Sequence, residues 1–121
     1  MPQSFERSTG FAEEALAEYK EGIGTFTEKM PELAEPYHLF TEACFKEGTL
    51  STKIKHLMAL SISIVLQDEY CIIYHVERSL NSGAIEEELF EAAGVAAAFG
   101  GGAAMSQAVT LLQDAIHEFR Q

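Results

Sequence analysis

Apolar residues recur every three or four positions along most of the chain, which is the spacing of one face of an α-helix. In the first such segment, residues 11–30, apolar side chains alternate with Glu and Lys, and Pro31 ends the pattern. A second helix is predicted to begin at Pro36, because proline suits the first helical position, and Cys44 lies on this helix.

Two more helices are predicted on either side of residue 68. Ser51 is a candidate N-cap for a third helix over residues 52–67. The β-branched residues between 62 and 65 would also suit a strand, but the helical period and the absence of a strand partner favour a helix. Asp68 is placed to begin a fourth helix, for which Gly83 is a stop signal.

The C-terminal third predicts two further helices around a glycine turn. Glu86, Glu87 and Glu88 place negative charge in the first turn of a fifth helix, which is favourable for the helix dipole and ends near Phe99. A sixth helix is predicted from Met105 to Phe119. No repeat or linker interrupts the chain, so residues 1–121 are expected to form one all-α domain, a compact bundle of about six helices.

Residues 92–112 form a stretch of 21 residues without a charge, which is long enough to span a bilayer. Alanine and glycine dominate it, and three consecutive glycines interrupt it at 100–102. We therefore expect two helices outside the membrane rather than one across it. The third and fourth helices are apolar on more than one face, and such helices are buried. Because a small chain can bury few helices alone, the sequence predicts a homo-oligomer.

Charge and cysteine content narrow the class of partner. Eight Lys and Arg oppose 19 Asp and Glu, giving a formal net charge of −11, so a nucleic-acid partner is not expected. The first ten residues contain no apolar segment typical of a secretory signal, so a cytoplasmic protein is expected. Its two cysteines, Cys44 and Cys71, should then start as thiols.

Cys71 lies in the first turn of the predicted fourth helix. If Asp68 is the N-cap, its carboxylate accepts a hydrogen bond from the Cys71 amide, and the helix dipole lowers the pKa of the thiol. His75, four residues later, shares the same face and can reach the sulfur. The charges of Asp68 and Glu69 and the apolar neighbours oppose ionisation. A cysteine on an apolar helix is also commonly a small core residue.

Four features between residues 48 and 102 carry a family resemblance: K-x-K ahead of the third helix, D-x-x-C-x-x-x-H at 68–75, N-x-G-A-x-x-E-E after it, and the glycine-rich stretch beyond. With them the chain resembles the carboxymuconolactone decarboxylase and alkylhydroperoxidase D-like superfamily. The resemblance implies an all-α fold in dimers, trimers or hexamers. Redox members carry C-x-x-C-x-x-x-H and an upstream glutamate that relays protons.

The resemblance assigns the second motif cysteine to Cys71 and the motif histidine to His75. Asp68 stands where redox members have the first cysteine, and His56 stands where they have the glutamate. Without a cysteine at position 68, the internal disulfide of those members cannot form.

The function that the resemblance favours is a thiol-dependent peroxidase, an antioxidant oxidoreductase without a cofactor. The Cys71 thiolate would attack a hydroperoxide and become a sulfenic acid, which Cys44 or an external thiol would reduce. His56 and His75 would relay protons, with Asp68 as cap and orienting carboxylate.

Three alternatives stay open. The first is a lyase acting on a lactone acid, with Arg78 as the nearby cation for a carboxylate. The second is a metal site, since His56, Asp68, Cys71 and His75 offer donors that suit zinc. The third is a helical oligomer that has lost catalytic activity.

Overall fold

The computed structural model describes residues 7–120, which form seven α-helices, so the all-α prediction is confirmed. In chain order they are α1 (Phe11–Lys29), α2 (Pro31–Cys44), α3 (Thr52–Leu66), α4 (Glu69–Asn81), α5 (Glu86–Gly100), α6 (Gly102–Ala108) and α7 (Leu111–Phe119).

The start of the second helix was predicted five residues too late. Pro31, not Pro36, occupies the first position of α2, and Pro36 lies inside the helix. The carbonyl of Met30 accepts hydrogen bonds from the amides of Leu33 and Ala34, so the helix is already established before Pro36. Proline at a first position loses nothing, because the amide it lacks would have no intrahelical partner there.

The predicted sixth helix is divided into α6 and α7. Thr110 leaves the helical conformation, with φ −123° and ψ −85°, and its hydroxyl donates to the Ser106 carbonyl at 2.6 Å. The apolar stripe continues on both sides of the break, so periodicity alone could not reveal it.

The core lies around α3, which packs against α4, α5 and α6, while α4 also packs against α7 and α1. Helix α2 packs mainly along α1 and buries only Ala34 among its described side chains. The largest fully buried apolar side chains come from four helices: Leu60, Ile64, Ile72, Ile73, Val76, Leu89, Leu111 and Leu112.

A two-residue turn joins α3 to α4 and fixes how the two helices face each other. Gln67 has φ 59°, in the left-handed region, and its amide donates to the Ile64 carbonyl at 3.1 Å. The amide of Asp68 donates to the Ser63 carbonyl at 3.2 Å, which completes the hydrogen-bond pattern of a Schellman helix end. The chain therefore reverses at once, and α4 begins at Glu69 directly beside α3.

Both predicted N-caps are confirmed. Ser51 Oγ accepts from the amide of Ile54 at 3.1 Å, and Asp68 Oδ1 accepts from the amide of Cys71 at 3.1 Å. Between residues 7 and 120 no helix has both the length and the apolar character needed to cross a bilayer.

Candidate functional site

The two histidines that the sequence analysis singled out meet between α3 and α4. His56 is buried, with 6% of its surface exposed, and its Nδ1 lies 3.1 Å from Nδ1 of the half-buried His75. Such a contact requires one imidazole to donate its Nδ1–H to the unprotonated Nδ1 of the other. The pair can therefore pass one proton between its members.

An aromatic side chain covers this pair. The ring of Phe45 stacks on His56, with 4.5 Å between centroids, and on His75 at 5.6 Å. Tyr74 meets His75 edge-on at 5.0 Å. Phe45 follows α2 directly, and sequence reasoning missed it because its place depends on how the segment after α2 folds back onto α3.

The surroundings keep both imidazoles neutral. Burial lowers the pKa of His75 to about 4, and the nearby His56 and the positive charge of Arg78 act in the same direction. Burial and Arg78 also lower the pKa of His56. At neutral pH both rings are therefore uncharged and keep one nitrogen able to accept a proton, and a pKa of about 4 makes His75 a weaker base than an ordinary histidine.

Cys71 occupies the predicted place in the first turn of α4, and the structure favours the influences that the sequence analysis named as opposing ionisation of its thiol. Burial raises the pKa of the thiol, and the negative charge of Asp68 raises it further. Burial and the carboxylate that caps the helix both oppose the thiolate that the N-terminus of α4 favours.

The expected contact between His75 and the sulfur of Cys71 is also absent. Among the described residues, no hydrogen bond joins Cys71 Sγ to either imidazole, and the ring of His75 bonds to His56 on α3 instead. Sharing a helix face brings two side chains near each other, but the neighbouring helix decides which way the ring turns.

Tyr19 from α1 belongs to the surroundings of Cys71, which sequence reasoning also missed. Its ring lies 6.2 Å from Tyr70 and 6.4 Å from Tyr74. Burial raises the pKa of Tyr19, and Cys71 and Asp68 are among the charges that raise it further. The only sequence signal was the position of Tyr19 on the apolar stripe of α1.

Cys44, the predicted resolving thiol, is exposed at the end of α2, and both cysteines are free. The predicted metal donors do not converge, since within residues 7–120 no three His, Cys, Asp or Glu side chains are placed to hold a metal ion.

A cavity of about 440 Å³ lies elsewhere, between α5 and α7. It contains none of the predicted site residues and none of the residues that surround the histidine pair. The residues that line the cavity are Glu86, Phe90, Gln113, Ile116, His117 and Arg120.

Comparison with known proteins adds independent information. Residues 31–114 match the model of the carboxymuconolactone decarboxylase family. A crystal structure of a protein of that family from Legionella pneumophila superposes with a TM-score of 0.87 and 28% identity, covering 93% of this chain and 99% of that one. A family member from Thermotoga maritima, described as having a possible involvement in the antioxidative response, gives a TM-score of 0.71 and 30% identity, covering 81% of this chain and 86% of that one.

An uncharacterised protein of the cox locus of Paracoccus denitrificans is 35% identical over 68 residues. That match covers 56% of this chain and 61% of the Paracoccus protein, which is less than two thirds of the relative's length.

Proposed function

Because this chain belongs to the carboxymuconolactone decarboxylase family, we propose that it is a thiol-dependent peroxidase in which Cys71 reacts and His56 and His75 move protons. The observation that carries the proposal is the neutral histidine pair, with 3.1 Å between the two nitrogens, one helical turn from Cys71. The family member from Thermotoga maritima, described as having a possible involvement in the antioxidative response, supports an antioxidant role.

In the proposed reaction, the Cys71 thiol loses its proton and the sulfur attacks the terminal oxygen of a hydroperoxide. A sulfur–oxygen bond forms, the oxygen–oxygen bond breaks, and the leaving alkoxide takes a proton to become an alcohol. The sulfenic acid then condenses with a thiol to give a disulfide and water. A second thiol reduces that disulfide and regenerates Cys71.

Because the pKa of the Cys71 thiol is raised, the thiol needs a base, and we assign that role to the histidine pair. An uncharged thiol is a poor nucleophile, so the sulfur must be deprotonated as the substrate binds. Within residues 7–120 no hydrogen bond joins the sulfur to either imidazole, so we propose that the bound hydroperoxide carries the thiol proton to His75. His75 is neutral, lies four residues further on α4, and can hand the proton to His56 across their hydrogen bond. The pair can return the same proton to the leaving alkoxide.

The reductant we propose is an external thiol of a reducing cytoplasm. Cys44 is the internal candidate, and its exposure at the end of α2 leaves it open to such a thiol as well.

Mass spectrometry of the reduced protein, after one equivalent of cumene hydroperoxide in the presence of a sulfenic-acid trap, tests the proposal. We expect an adduct on Cys71, or a disulfide between Cys71 and Cys44. The Cys44→Ser variant should keep the Cys71 adduct, and a His75→Gln variant should form it at least tenfold more slowly. An unmodified Cys71, under conditions that oxidise a control thiol peroxidase, would contradict the proposal.

A lyase is the second candidate, favoured by the fact that the histidine pair is complete without the thiol. A neutral imidazole pair can remove a proton from a lactone acid and return it elsewhere. Turnover of lactone acids by the Cys71→Ser variant separates the two candidates. Turnover of lactone acids that survives this substitution would identify the lyase. Turnover of lactone acids that is lost with the thiol would exclude a lyase mechanism carried by the histidine pair alone.

We also propose that a second copy of the chain covers the outer face of α3 and the apolar side of α2. Ile54, Met58, Ile62 and Leu66 repeat every four residues along α3 and are 39–71% exposed. On α2, three more large apolar side chains are 59–65% exposed, namely Leu33, Tyr37 and Phe40.

A large exposed apolar surface of this kind is typical of an interface, and a stable one buries about 800 Å² on each partner. Residues 57–66 carry no charge, so two copies of this acidic chain can meet there without like charges facing each other. Light scattering after size exclusion should show an oligomer, a trimer or a hexamer by the family resemblance. Ile62→Asp should reduce its mass to that of the monomer, whereas Asn81→Asp, which adds the same charge at an exposed polar position, should not.

A further inference from the structure

Arg78 differs from the other described arginines because it has no carboxylate partner. Arg7 pairs with Asp114 at 2.7 Å, and Arg120 pairs with Glu86. Within the described part of the chain Arg78 forms no ion pair, and its guanidinium lies 5.2 Å from the centroid of the Tyr74 ring. Acidic residues outnumber basic ones by 19 to 8, so a cation left unpaired in this chain is available to an external anion.

Arg78 stands at one end of the aromatic row that contains the histidine pair. Tyr74, beneath its guanidinium, meets His75 at 5.0 Å, and His75 in turn bonds to His56. Arg78 follows His75 by three residues on α4, so the two side chains share one side of the helix. The positive charge of Arg78 also reaches both imidazoles, since it is among the causes that lower the pKa of each.

Arg78 is the cation that acts on the histidine pair. Lys55 adjoins His56 in α3, but neighbouring helix positions face different directions, and its ammonium donates to the carbonyl of Lys46 at 2.6 Å. A neutral histidine pair beside the unpaired Arg78 repels a cationic ligand and attracts an anionic one.

We infer that Arg78 binds a carboxylate of the substrate, so that the site selects substrates that carry a carboxylate close to the group on which the histidine pair acts. The planar guanidinium can form two parallel hydrogen bonds to a carboxylate, and its contact with the Tyr74 ring leaves those donors without a carboxylate partner among the described residues. The identity of the reacting group, a hydroperoxide, rests on the proposed function; the anion site does not.

Loss of Arg78 could also act by destabilising α4, and a substitution of Lys29 controls for that effect. As the basic residue in the last turn of α4, Arg78 stabilises the helix through the dipole, and Lys29 does the same in the last turn of α1. Lys29→Met removes an equivalent charge from an equivalent position on a helix whose last turn lies about 15 Å beyond Tyr19.

Benzoate titration, followed by the NMR resonances of the His56 and His75 imidazoles, tests the anion site without any turnover. We expect saturable shifts in the wild-type protein and in Lys29→Met, affinity about tenfold weaker in Arg78→Met, and an intermediate affinity in Arg78→Lys, which keeps the charge but loses the fork. Equal benzoate affinity in Arg78→Met and the wild type, or the absence of a saturable shift, would overturn the inference.

A matched pair of peroxides then tests the substrate class: cumene hydroperoxide and its analogue with a carboxylate in the para position. We expect a kcat/KM about tenfold higher for the carboxylate, and no preference in Arg78→Met. If benzoate binds through Arg78 but neither peroxide is reduced, the anion site stands and the peroxidase proposal fails. If both peroxides are reduced equally and benzoate does not bind, the peroxidase stands and the anion site fails.

Discussion

Acidification should destabilise this protein through His75. The folded state holds the pKa of His75 at about 4, whereas an unfolded chain has the ordinary value of about 6.5. Between these values the unfolded state binds a proton that the folded state does not. The free energy of unfolding therefore falls as the pH drops below about 6.5, and the loss levels off below about 4. His56, whose pKa is also lowered, acts in the same direction.

The loss of stability on acidification can be calculated from the shift in the pKa of His75. Each pKa unit corresponds to about 1.4 kcal/mol, so a shift from about 6.5 to about 4 has an upper limit of roughly 3.4 kcal/mol. His75 is half-buried, and solvent screens part of its interaction with Arg78. We therefore expect about 2 kcal/mol of stability to be lost through His75 between about pH 7 and about pH 4.5.

Urea unfolding of the wild type and of His75→Gln, at both pH values and equal protein concentration, isolates this contribution. Carboxylates elsewhere titrate equally in both proteins, and the hydrogen bond that the substitution removes lowers the stability of the variant at both pH values. The wild type should lose about 2 kcal/mol more than the variant on acidification. Equal losses in the two proteins would refute the conclusion that burial keeps His75 neutral.

Three further substitutions test the local structure. Asp68→Asn keeps a capping side chain but removes the charge beside Cys71, so the pKa of the thiol should fall. The pH dependence of alkylation by iodoacetamide measures this pKa. Glu69→Gln, the control, should lower the pKa of the thiol less. Gln67→Gly should stabilise the protein by about 1 kcal/mol in urea unfolding, because glycine adopts φ 59° without strain, and a destabilised variant would contradict this. Ser79→Ala should raise the stability by about 1 kcal/mol, because Ser79 Oγ is fully buried and has no hydrogen-bond partner among the described residues. A loss of stability there would show that the hydroxyl has a partner.

The residues that form the candidate site were largely predictable, but their arrangement was not. The motif resemblance pointed to His56, His75, Cys71 and Asp68, and the structure brings the two histidines into hydrogen-bond contact. The resemblance could not show that the ring of His75 bonds to His56 and, in the described part of the chain, forms no hydrogen bond to the sulfur. Phe45 was not predictable either, because nothing in its local sequence indicates a contact with α3.

Local physical chemistry is what the sequence alone determined. Helical periodicity, the caps Ser51 and Asp68, and the glycine turn at 100–102 depend on neighbours within a few residues, and the structure has all of them. Periodicity misplaced the start of α2 and missed the break at Thr110. At both places backbone hydrogen bonds determine where the helix begins or ends, and the apolar stripe continues unchanged.

Electrostatics at the site were decided only by the tertiary structure. Sequence reasoning identified every charge near Cys71 but could not weigh the helix dipole against burial and Asp68. Those contributions depend on distance and on exclusion of solvent, which exist only once α1, α3 and α4 pack together. The same packing buries the histidine pair, lowers the pKa of both rings and leaves Arg78 without a carboxylate partner among the described residues.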